Sequence, residues 1–215
     1  MMGLKFLGKK VILMLKRTFD FIFAIILTII LSPLLLIIAI AIKAASHGTA
    51  PSRPKRMGQH SQPFIVYKFR TMYKDTRKNK ASNGLCDRDS CITTIGRWLR
   101  VTSLDELPQL FNIIKGEMSF VGPRPVILAE KELINKRKTA GVYQLKPGVT
   151  GYAQINGRDH VSVDRKVELD KYYLDNHSLL MDINIILKTG IKVLKREDIF
   201  EHQESTDDDS LEENN

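Results

Sequence analysis

The hydrophobic pattern is dominated by one uncharged segment that runs from Phe21 to Ile42. A helix needs about 20 apolar residues to cross a bilayer, so this segment is long enough, and it exceeds the apolar core of a cleaved signal peptide. Ser32 and Pro33 lie near its centre. Because proline removes a helical hydrogen bond and bends the axis, the pattern predicts a membrane helix that is kinked there.

Both flanks of this segment are basic, with Lys16 and Arg17 before it and Lys43, Lys55 and Arg56 after it. Positively charged flanks favour the cytoplasmic side of a membrane, so a single crossing would place one flank on the unfavoured side. A helix that enters the membrane, breaks at the proline and returns to the same face removes this conflict. The charge pattern leaves both a re-entrant helix and a kinked single-pass anchor open.

Downstream, the periodicity predicts short elements that are mostly helical, and hence a small α+β domain. Alternating bulky apolar residues predict a half-buried strand over Phe64–Arg70, with Lys68 and Arg70 on one face. Helical spacing predicts a basic amphipathic helix over Thr94–Val101. Its only tryptophan, Trp98, could lie in the core, which is the commoner case, or at the membrane interface. The other predicted helices are Asp164–Leu174 and Asp182–Leu194, the second of them amphipathic and partly on the membrane.

The pattern divides the chain into a basic interfacial segment (residues 1–18), a membrane helix (19–43), a globular domain (44–198) and an acidic tail (199–215). The net charge is +9, but Glu201 to Asn215 holds seven of the 24 acidic residues and no Lys or Arg, which leaves 33 basic against 17 acidic residues before it. Such an excess indicates an anionic partner: lipid headgroups, a phosphate-bearing substrate or nucleic acid. The tail is predicted to be disordered.

Asp105 and Glu106 form an adjacent carboxylate pair where a helix is predicted to begin, and Gly116 is its predicted stop. Ser103 followed three residues later by Glu106 fits a capping box, in which two side chains satisfy free backbone amides. Carboxylates also complement the positive end of a helix dipole. By itself, the pattern is more typical of helix caps than of catalytic groups.

Three turn-forming segments, each with a cation, follow the pair: Gly122-Pro-Arg-Pro125, Lys146-Pro-Gly-Val-Thr-Gly151 and Gly157-Arg-Asp159. Prolines on both sides restrict Arg124 to an extended turn. A guanidinium fixed in this way suits bidentate recognition of a phosphate group. Together these segments favour a phosphate site at which the carboxylate pair acts.

These motifs resemble, in order and over about residues 16–195, those of the bacterial sugar transferases that act as monotopic polyprenyl-phosphate phosphoglycosyl transferases. The chain looks like the minimal form of that family, without the extra N-terminal domains of larger relatives. The motifs that carry the resemblance are Lys16-Arg-Thr-Phe-Asp20, Ser32-Pro33, Tyr67-Lys-Phe-Arg-Thr-Met72, Thr102-Ser-Leu-Asp-Glu-Leu-Pro-Gln109, Lys115-Gly-Glu-Met-Ser119, Val121-Gly-Pro-Arg-Pro125, Lys146-Pro-Gly-Val-Thr-Gly-Tyr-Ala-Gln154, Tyr172-Tyr173 and Asp182.

The resemblance implies a re-entrant membrane helix kinked at Ser32 and Pro33, interfacial amphipathic helices, and a catalytic domain that faces the cytoplasm at the bacterial inner membrane. It also implies transfer of a sugar-1-phosphate from a UDP-sugar to undecaprenyl phosphate, with release of UMP and through a covalent aspartyl phospho-sugar intermediate. Such an enzyme starts the assembly of a capsule, an O-antigen or an exopolysaccharide.

By the same resemblance, Asp105 is the nucleophile, Glu106 supports the geometry, and both carboxylates hold Mg²⁺. An ionised carboxylate that attacks an anionic diphosphate needs nearby cations to offset the repulsion. The cations that the resemblance assigns to the substrate phosphates are Lys68, Arg70, Arg100 and Arg124. One departure concerns the loop after the membrane helix, where relatives commonly have two aromatic residues and a glutamine before a Lys-Arg-x-x-Gly turn. This chain has Pro51-Ser-Arg-Pro54 there, which bears on the packing of the loop and on substrate discrimination.

Two other classes of function compete with this interpretation. A non-enzymatic membrane adaptor would use the basic face to bind lipids or proteins, and the carboxylate pair would then only cap a helix. A nucleic-acid binder is favoured by charge alone, since the sequence has no helix-turn-helix, zinc-finger or RNA-stacking motif, so no nucleic-acid partner is expected. The sequence leaves the sugar, the glycan and a homodimer open; N-acetylated amino sugars, 6-deoxyamino sugars, galactose and glucose would all fit.

Overall fold

The computed structural model describes residues 2–73, 91–157 and 161–195, and within them the side chains from residue 13 onward except that of residue 194. Three predictions therefore lie outside the described residues, wholly or in large part. They are the irregular structure that the polar composition of residues 74–91 predicts, the turn at residues 157–159 and the disordered acidic tail.

The N-terminal part of the chain is one continuous helix, α1, over Met2–Ala45. It contains both the predicted basic segment (1–18) and the predicted membrane helix (19–43), and Pro33 lies inside it. Ser32 donates its hydroxyl hydrogen back to the carbonyl of Ile29 at 2.8 Å. Residues Leu13–Ala45 are long and apolar enough to cross a membrane.

Both halves of α1, before and after Pro33, pack on the rest of the protein. In the first half, Ala24, Leu27 and Leu31 contact the core cluster around Ile113. The second half contacts a different cluster, which contains Ile38, Ile42, Ala50, Phe69 and Leu99. Since residues on both sides of the proline touch the same domain, α1 lies along that domain instead of leaving it at one end.

The opposite face of α1 is apolar and exposed. Large exposed apolar surfaces on a protein usually mark contact with another protein or a membrane. A lipid-facing helix has this distribution, with one stripe on the protein and the rest uncovered. The exposed side chains are Leu13, Met14, Leu15, Phe19, Phe21, Ile22, Phe23, Ile26, Ile29, Ile30, Leu36, Ile37 and Ile40.

A buried polar network fixes the first half of α1. Lys16 Nζ lies 2.6 Å from Oδ2 of Asp182, and both side chains are about one-tenth exposed. The hydroxyl of Tyr173, which is 1% exposed, donates to Oδ1 of the same carboxylate at 2.5 Å. The network joins α1 to two C-terminal helices. It gives a structural role to the motif residues Lys16, Tyr173 and Asp182.

Beyond α1 the protein is mostly helical, as predicted. In the described residues the helices are α2 (Thr94–Val101), α3 (Leu110–Lys115), α4 (Lys131–Thr139), α5 (Tyr152–Asn156), α6 (Val163–Asn176) and α7 (Leu179–Lys195), with 3₁₀ helices over Gln59–Ser61, Leu104–Gln109 and Val142–Gln144. The predicted helix over Thr94–Val101 is confirmed, and α6 and α7 contain the two predicted C-terminal helices. Of the two positions predicted for Trp98, the core is wrong, because the residue is 55% exposed while Leu99 takes the buried position. The alternative at the membrane interface stays a prediction.

The strands are short, and in the described part of the chain they form three two-stranded sheets. The strands β1 (Pro51–Ser52) and β4 (Lys68–Phe69) are antiparallel, as are β2 (Lys55–Met57) and β3 (Pro63–Ile65), whereas β5 (Ser119–Val121) and β6 (Gly148–Thr150) are parallel.

The single strand predicted over Phe64–Arg70 is wrong, because the ladder is interrupted between β3 and β4. The buried side chain of Asn112 takes the place of a strand partner: its Oδ1 accepts from Tyr67 N at 2.9 Å, and its Nδ2 donates to the carbonyl of Ile65 at 2.7 Å. The chain therefore turns at this point, and β4 carries Lys68 to the carboxylate pair.

Candidate active site

The carboxylate pair lies in the 3₁₀ helix Leu104–Gln109, directly after α2. Ser103 connects the two helices in the left-handed conformation, with φ of 54°, which is uncommon for a residue other than glycine. Its side chain makes no capping hydrogen bond, so the predicted capping box is wrong. The predicted stop at Gly116 is confirmed, with φ of 85° at the end of α3.

Glu106 is held by two cations instead of by a helix amide. Oε1 of Glu106 accepts from Lys68 Nζ at 2.6 Å and from Arg124 Nη2 at 3.2 Å, and the Glu106 side chain is 16% exposed. Burial alone would raise the pKa of Glu106, but Arg124 and Lys68 outweigh it and lower the pKa below its ordinary value. The carboxylate of Glu106 is therefore charged and fixed in position.

Asp105, the adjacent residue, is half-buried and has a different environment. Its carboxylate accepts no hydrogen bond from any residue in the described ranges. Burial is the main cause that raises the pKa of Asp105, and the charge of Glu106 adds to it, while Lys68, Arg100 and Arg124 lower it in part. This carboxylate is partly desolvated, and in the described part of the chain it caps no backbone amide, although three cations lie near it.

The N-terminal end of α2 is fixed in a way that positions Arg100 near the carboxylate pair. Thr93 caps α2 by accepting from Gly96 N at 2.8 Å. Gly96 is required because a Cβ at this position would lie 2.0 Å from the carbonyl oxygen of Thr71. One turn later, Nε of Arg100 donates to the hydroxyl of Thr71 at 3.0 Å, and the charge of Arg100 acts on Asp105.

Arg124 belongs to a loop that is packed, backbone against backbone, on the turn around Gly148. A Cβ at Gly148 would lie 2.1 Å from Gly122 N, and one at Gly151 would lie 2.2 Å from the carbonyl oxygen of Gly122. The contact is closed by Gly148 N, which donates to the carbonyl of Pro123 at 3.0 Å. The glycines of the two predicted loops thus serve one purpose, which is to fix the loop of Arg124.

A buried ion pair that sequence reasoning missed supports the same loop. Arg137 Nη1 donates to the carbonyl of Arg124 at 2.8 Å, and its Nη2 lies 2.6 Å from Oδ2 of Asp170, with both side chains at most 4% exposed. The two residues come from α4 and α6, 33 positions apart, and neither lies in a recognisable motif. Nothing in the local pattern could have indicated their contact.

Arg70, by contrast, directs its guanidinium to the C-terminal end of α1. Nη2 donates to the carbonyl and hydroxyl of Ser46 at 2.8 and 2.9 Å, and Nη1 donates to the carbonyl of His47 at 2.9 Å. These hydrogen bonds satisfy carbonyl groups that a helix end leaves without a partner. Lys68 and Arg70 leave the chain two residues apart but reach different sites, and the predicted phosphate contact of Arg70 stays a prediction.

Beside the pair lies a cavity of about 280 Å³, with Glu106 in its wall. Its charged lining is mainly cationic, so the cavity is suited to an anion. The charged residues that line it are Arg56, Lys68, Arg124, Arg137, Lys166, Glu106 and Glu130.

The site offers two carboxylates to a metal ion. In the described residues, no group of three or more His, Cys, Asp or Glu side chains converges on one point. Oε1 of Glu106 is engaged by Lys68 and Arg124, whereas the second oxygen of Glu106 and both oxygens of Asp105 accept no hydrogen bond in the described part. Mg²⁺ is commonly bound by one or two carboxylates together with substrate phosphates. The residues present fit such an ion, with the substrate completing its shell.

The fold and the site thus define a protein with a long, membrane-compatible apolar helix and a cation-lined site for an anion beside two carboxylates. Comparison with known proteins is consistent with this class. Residues 11–196 match the family described as bacterial sugar transferase. The chain therefore belongs to the bacterial sugar transferase family.

Several relatives cover most of the chain. It is 41% identical over 187 residues to the uncharacterized sugar transferase EpsL of Bacillus subtilis (strain 168), an alignment that spans 87% of this chain and 91% of EpsL. It is 38% identical over 209 residues to the undecaprenyl-phosphate galactose phosphotransferase of Salmonella typhimurium (90% of this chain, 43% of that protein). It is 41% identical over 194 residues to the undecaprenyl-phosphate glucose phosphotransferase of Komagataeibacter xylinus (85% and 35%). The chain spans less than half of the last two.

Proposed function

We propose that this protein transfers a sugar-1-phosphate from a UDP-sugar to undecaprenyl phosphate and releases UMP. The family, and the names of the galactose and glucose phosphotransferases among the relatives, support this reaction class. The relatives differ in their sugar, so the sugar is not part of the proposal. The product would start the assembly of a surface polysaccharide such as a capsule, an O-antigen or an exopolysaccharide.

The observation that carries the proposal is the contrast within the carboxylate pair. Glu106 is fixed by Lys68 and Arg124, whereas Asp105 accepts no hydrogen bond in the described residues and borders the same cations. A carboxylate used as a nucleophile must be ionised, accessible and close to charges that offset repulsion from a phosphate. The position of Asp105 beside Lys68, Arg100 and Arg124 supports this role, and Glu106 would orient the cations around it.

In the proposed first step, an oxygen of the Asp105 carboxylate attacks the sugar-bearing phosphorus of the UDP-sugar. The bond from that phosphorus to the bridging oxygen breaks, and UMP leaves with the electron pair. In the second step, a phosphate oxygen of undecaprenyl phosphate attacks the phosphorus of the aspartyl phospho-sugar. The bond to Asp105 breaks, the carboxylate is restored, and the lipid diphosphate sugar departs. Lys68, Arg100 and Arg124 would stabilise the charge on the transferred phosphoryl group in both steps.

Mg²⁺ is the proposed cofactor, and Asp105 and Glu106 are the residues that would hold it. When bound, the ion would neutralise charge on the diphosphate and polarise the bond to the leaving group. Lys68 and Arg124 engage only Oε1 of Glu106, so the second oxygen of Glu106 would be available to the ion.

We further propose that α1 enters the inner membrane, bends at Ser32 and Pro33 while staying helical, and returns to the same face, so that the catalytic domain lies on the cytoplasmic side. This is supported by the contacts that both halves of α1 make with one domain. It is also supported by the basic residues before and after the apolar segment. A helix that crossed the membrane completely would separate one of these halves from the domain.

The proposal is tested by assaying purified protein with undecaprenyl phosphate, Mg²⁺ and a panel of UDP-sugars, with UMP release as the readout. We expect UMP release with at least one sugar, dependent on the lipid phosphate and abolished by chelation of Mg²⁺. A membrane adaptor, the competing function, would release no UMP with any sugar and would acquire no label from a radiolabelled UDP-sugar.

A further inference from the structure

A second arginine, Arg56, is held at the cavity beside Arg124 by a backbone contact that is independent of the carboxylate pair. It lies at the centre of β2, where it is paired with Phe64 of β3. On its other side it forms an isolated antiparallel bridge with Ile127. The neighbouring amide of Met57 donates to the carbonyl of Val126 at 3.0 Å. The strand that carries Arg56 is thus joined to the segment directly after Arg124.

The side chain of Arg56 lines the cavity together with Lys68, Glu106 and Arg124. It is half-buried, and its guanidinium makes no hydrogen bond or ion pair with any residue in the described ranges. Burial and the positive charge of Arg124 lower the pKa of Arg56, and Glu130 partly offsets them. A guanidinium presents five donors, so one that is half-buried without a partner is suited to bind a ligand.

The other charged groups of the cavity have different surroundings. Arg137 is engaged by Asp170 and by the carbonyl of Arg124. Glu130 accepts from the amide of Ile127 at 3.3 Å, within its own segment. The positive charge of Arg124 acts on Arg56, so the two guanidinium groups lie near each other. Arg124 is paired with Glu106, whereas Arg56 forms no ion pair with any residue in the described ranges. Two planar guanidinium groups that line one cavity suit the tetrahedral oxygens of a phosphate.

We propose that Arg56 and Arg124 together bind a phosphate group in this cavity, next to the position at which Lys68 and Arg124 hold the carboxylate of Glu106. The inference rests on the proposed function, because the phosphate would come either from the diphosphate of the UDP-sugar or from undecaprenyl phosphate. Non-bridging phosphate oxygens would accept from the Arg56 guanidinium, and no bond forms or breaks at this position.

The test measures binding of UDP to the full chain by calorimetry at fixed ionic strength, so that it does not depend on turnover. Loss of one charge-assisted hydrogen-bond donor predicts that Arg56→Met weakens UDP binding by about tenfold or more, and that Arg56→Lys recovers part of it. The matched control is Lys55→Met, because Lys55 is the adjacent residue on β2, is exposed and does not line the cavity. It removes the same charge and is expected to leave UDP binding unchanged. Thermal unfolding of each variant verifies that it is folded.

The kinetic constants of the same variants distinguish the two phosphate sources. A higher KM for the UDP-sugar with an unchanged KM for the lipid assigns the phosphate to the nucleotide. Unchanged UDP binding with a higher KM for undecaprenyl phosphate assigns it to the lipid. The proposal is overturned if Arg56→Met changes neither the binding of UDP nor the KM for undecaprenyl phosphate. It is also overturned if Lys55→Met weakens UDP binding as much as Arg56→Met does, since long-range charge alone would then explain the result. If the wild-type protein binds UDP but releases no UMP, the proposed function fails while the assignment of Arg56 is still decided by binding.

Discussion

Lys68 Nζ lies 2.6 Å from Oε1 of Glu106, while the carboxylate of Asp105, one residue earlier, accepts no hydrogen bond in the described part of the protein. The surroundings shift the pKa values of these two adjacent carboxylates in opposite directions. The pKa of Glu106 is lowered by its cations although burial opposes them, and the pKa of Asp105 is raised, first by burial. The pair divides into Glu106, which is fixed by two cations and charged, and Asp105, whose carboxylate no described residue fixes by a hydrogen bond.

The pH dependence of the first half-reaction follows from this contrast. Asp105 must be ionised to attack, so its raised pKa predicts that UMP release is lost on acidification at a higher pH than an ordinary aspartate, near 3.9, would allow. The charge of Lys68 lowers the pKa of Asp105 and that of Glu106 raises it. Lys68→Met should therefore move the acid limb to higher pH, and Glu106→Gln should move it to lower pH.

The measurement is single-turnover UMP release as a function of pH. Lys171→Met is the matched control, since the side chain of Lys171 is 44% exposed and, among the described residues, pairs with Asp175 on its own helix. Shifts of the acid limb in the same direction for both site variants would contradict the assigned electrostatics.

Arg70 is expected to act mainly on the attachment of α1. Arg70→Met removes the hydrogen bonds to Ser46 and His47, and bonds from a charged donor contribute about 1.5–3 kcal/mol each. For a domain of this size, 1 kcal/mol corresponds to about 2–4 °C in Tm. We expect a lower Tm with a KM for UDP-sugar within about twofold of the wild type. A large increase in KM at unchanged Tm would instead indicate that Arg70 binds a substrate phosphate, as predicted from the sequence.

The buried Arg137–Asp170 pair should act on the site through Arg124. Asp170→Asn leaves Arg137 buried without its counter-charge and should destabilise the protein by about 3–5 kcal/mol. Replacing both residues with Met removes both charges, so Tm should largely recover. The KM for UDP-sugar should nevertheless be higher than that of the wild type, because the carbonyl of Arg124 no longer accepts a hydrogen bond from Arg137. The exposed Lys171–Asp175 pair, replaced in the same way, serves as the control. Recovery of both Tm and KM in the double variant would limit the pair to a structural role.

The re-entrant arrangement of α1 predicts that both of its ends react from the cytoplasmic side. Single cysteines at Gly3 and at His47, in a background without the natural cysteines, should react with a membrane-impermeant thiol reagent only in inverted vesicles. Of the two exposed residues His47 and Gly48, which follow the helix, His47 is the better position for a cysteine, because Gly48 has φ of 118° and a side chain there would be strained. Labelling of either position in intact cells would mean that the helix crosses the membrane.

Local patterns predicted the features that depend on neighbouring residues. The helix over Thr94–Val101 follows from its period, and the stop at Gly116 follows from the freedom of glycine at positive φ. The long apolar helix follows from composition alone. The core position of Trp98 was the wrong alternative, because an amphipathic period does not tell which side of a short helix faces the domain.

Features that depend on distant contacts could not be predicted. The strand around Lys68 is divided by Asn112, a residue that is more than 40 positions away and completely buried. The environment of Glu106 depends on Arg124 and Lys68, so a capping box was the natural but wrong local prediction. The family motifs identified the loop of Arg124, but only the structure relates its glycines to close backbone packing and assigns Arg70 to the end of α1.

The central claim, that Asp105 is the nucleophile, is tested most directly by trapping the intermediate. The protein is incubated with a UDP-sugar that carries ³²P in its sugar-bearing phosphate, first without and then with undecaprenyl phosphate. We expect about one UMP per protein and protein-bound label without the lipid, and transfer of that label to the lipid once it is added. Asp105→Asn should acquire no label and should release UMP more slowly by about 10³-fold or more. Near-normal turnover by this variant, or turnover by the wild type without any protein-bound label, would contradict the account.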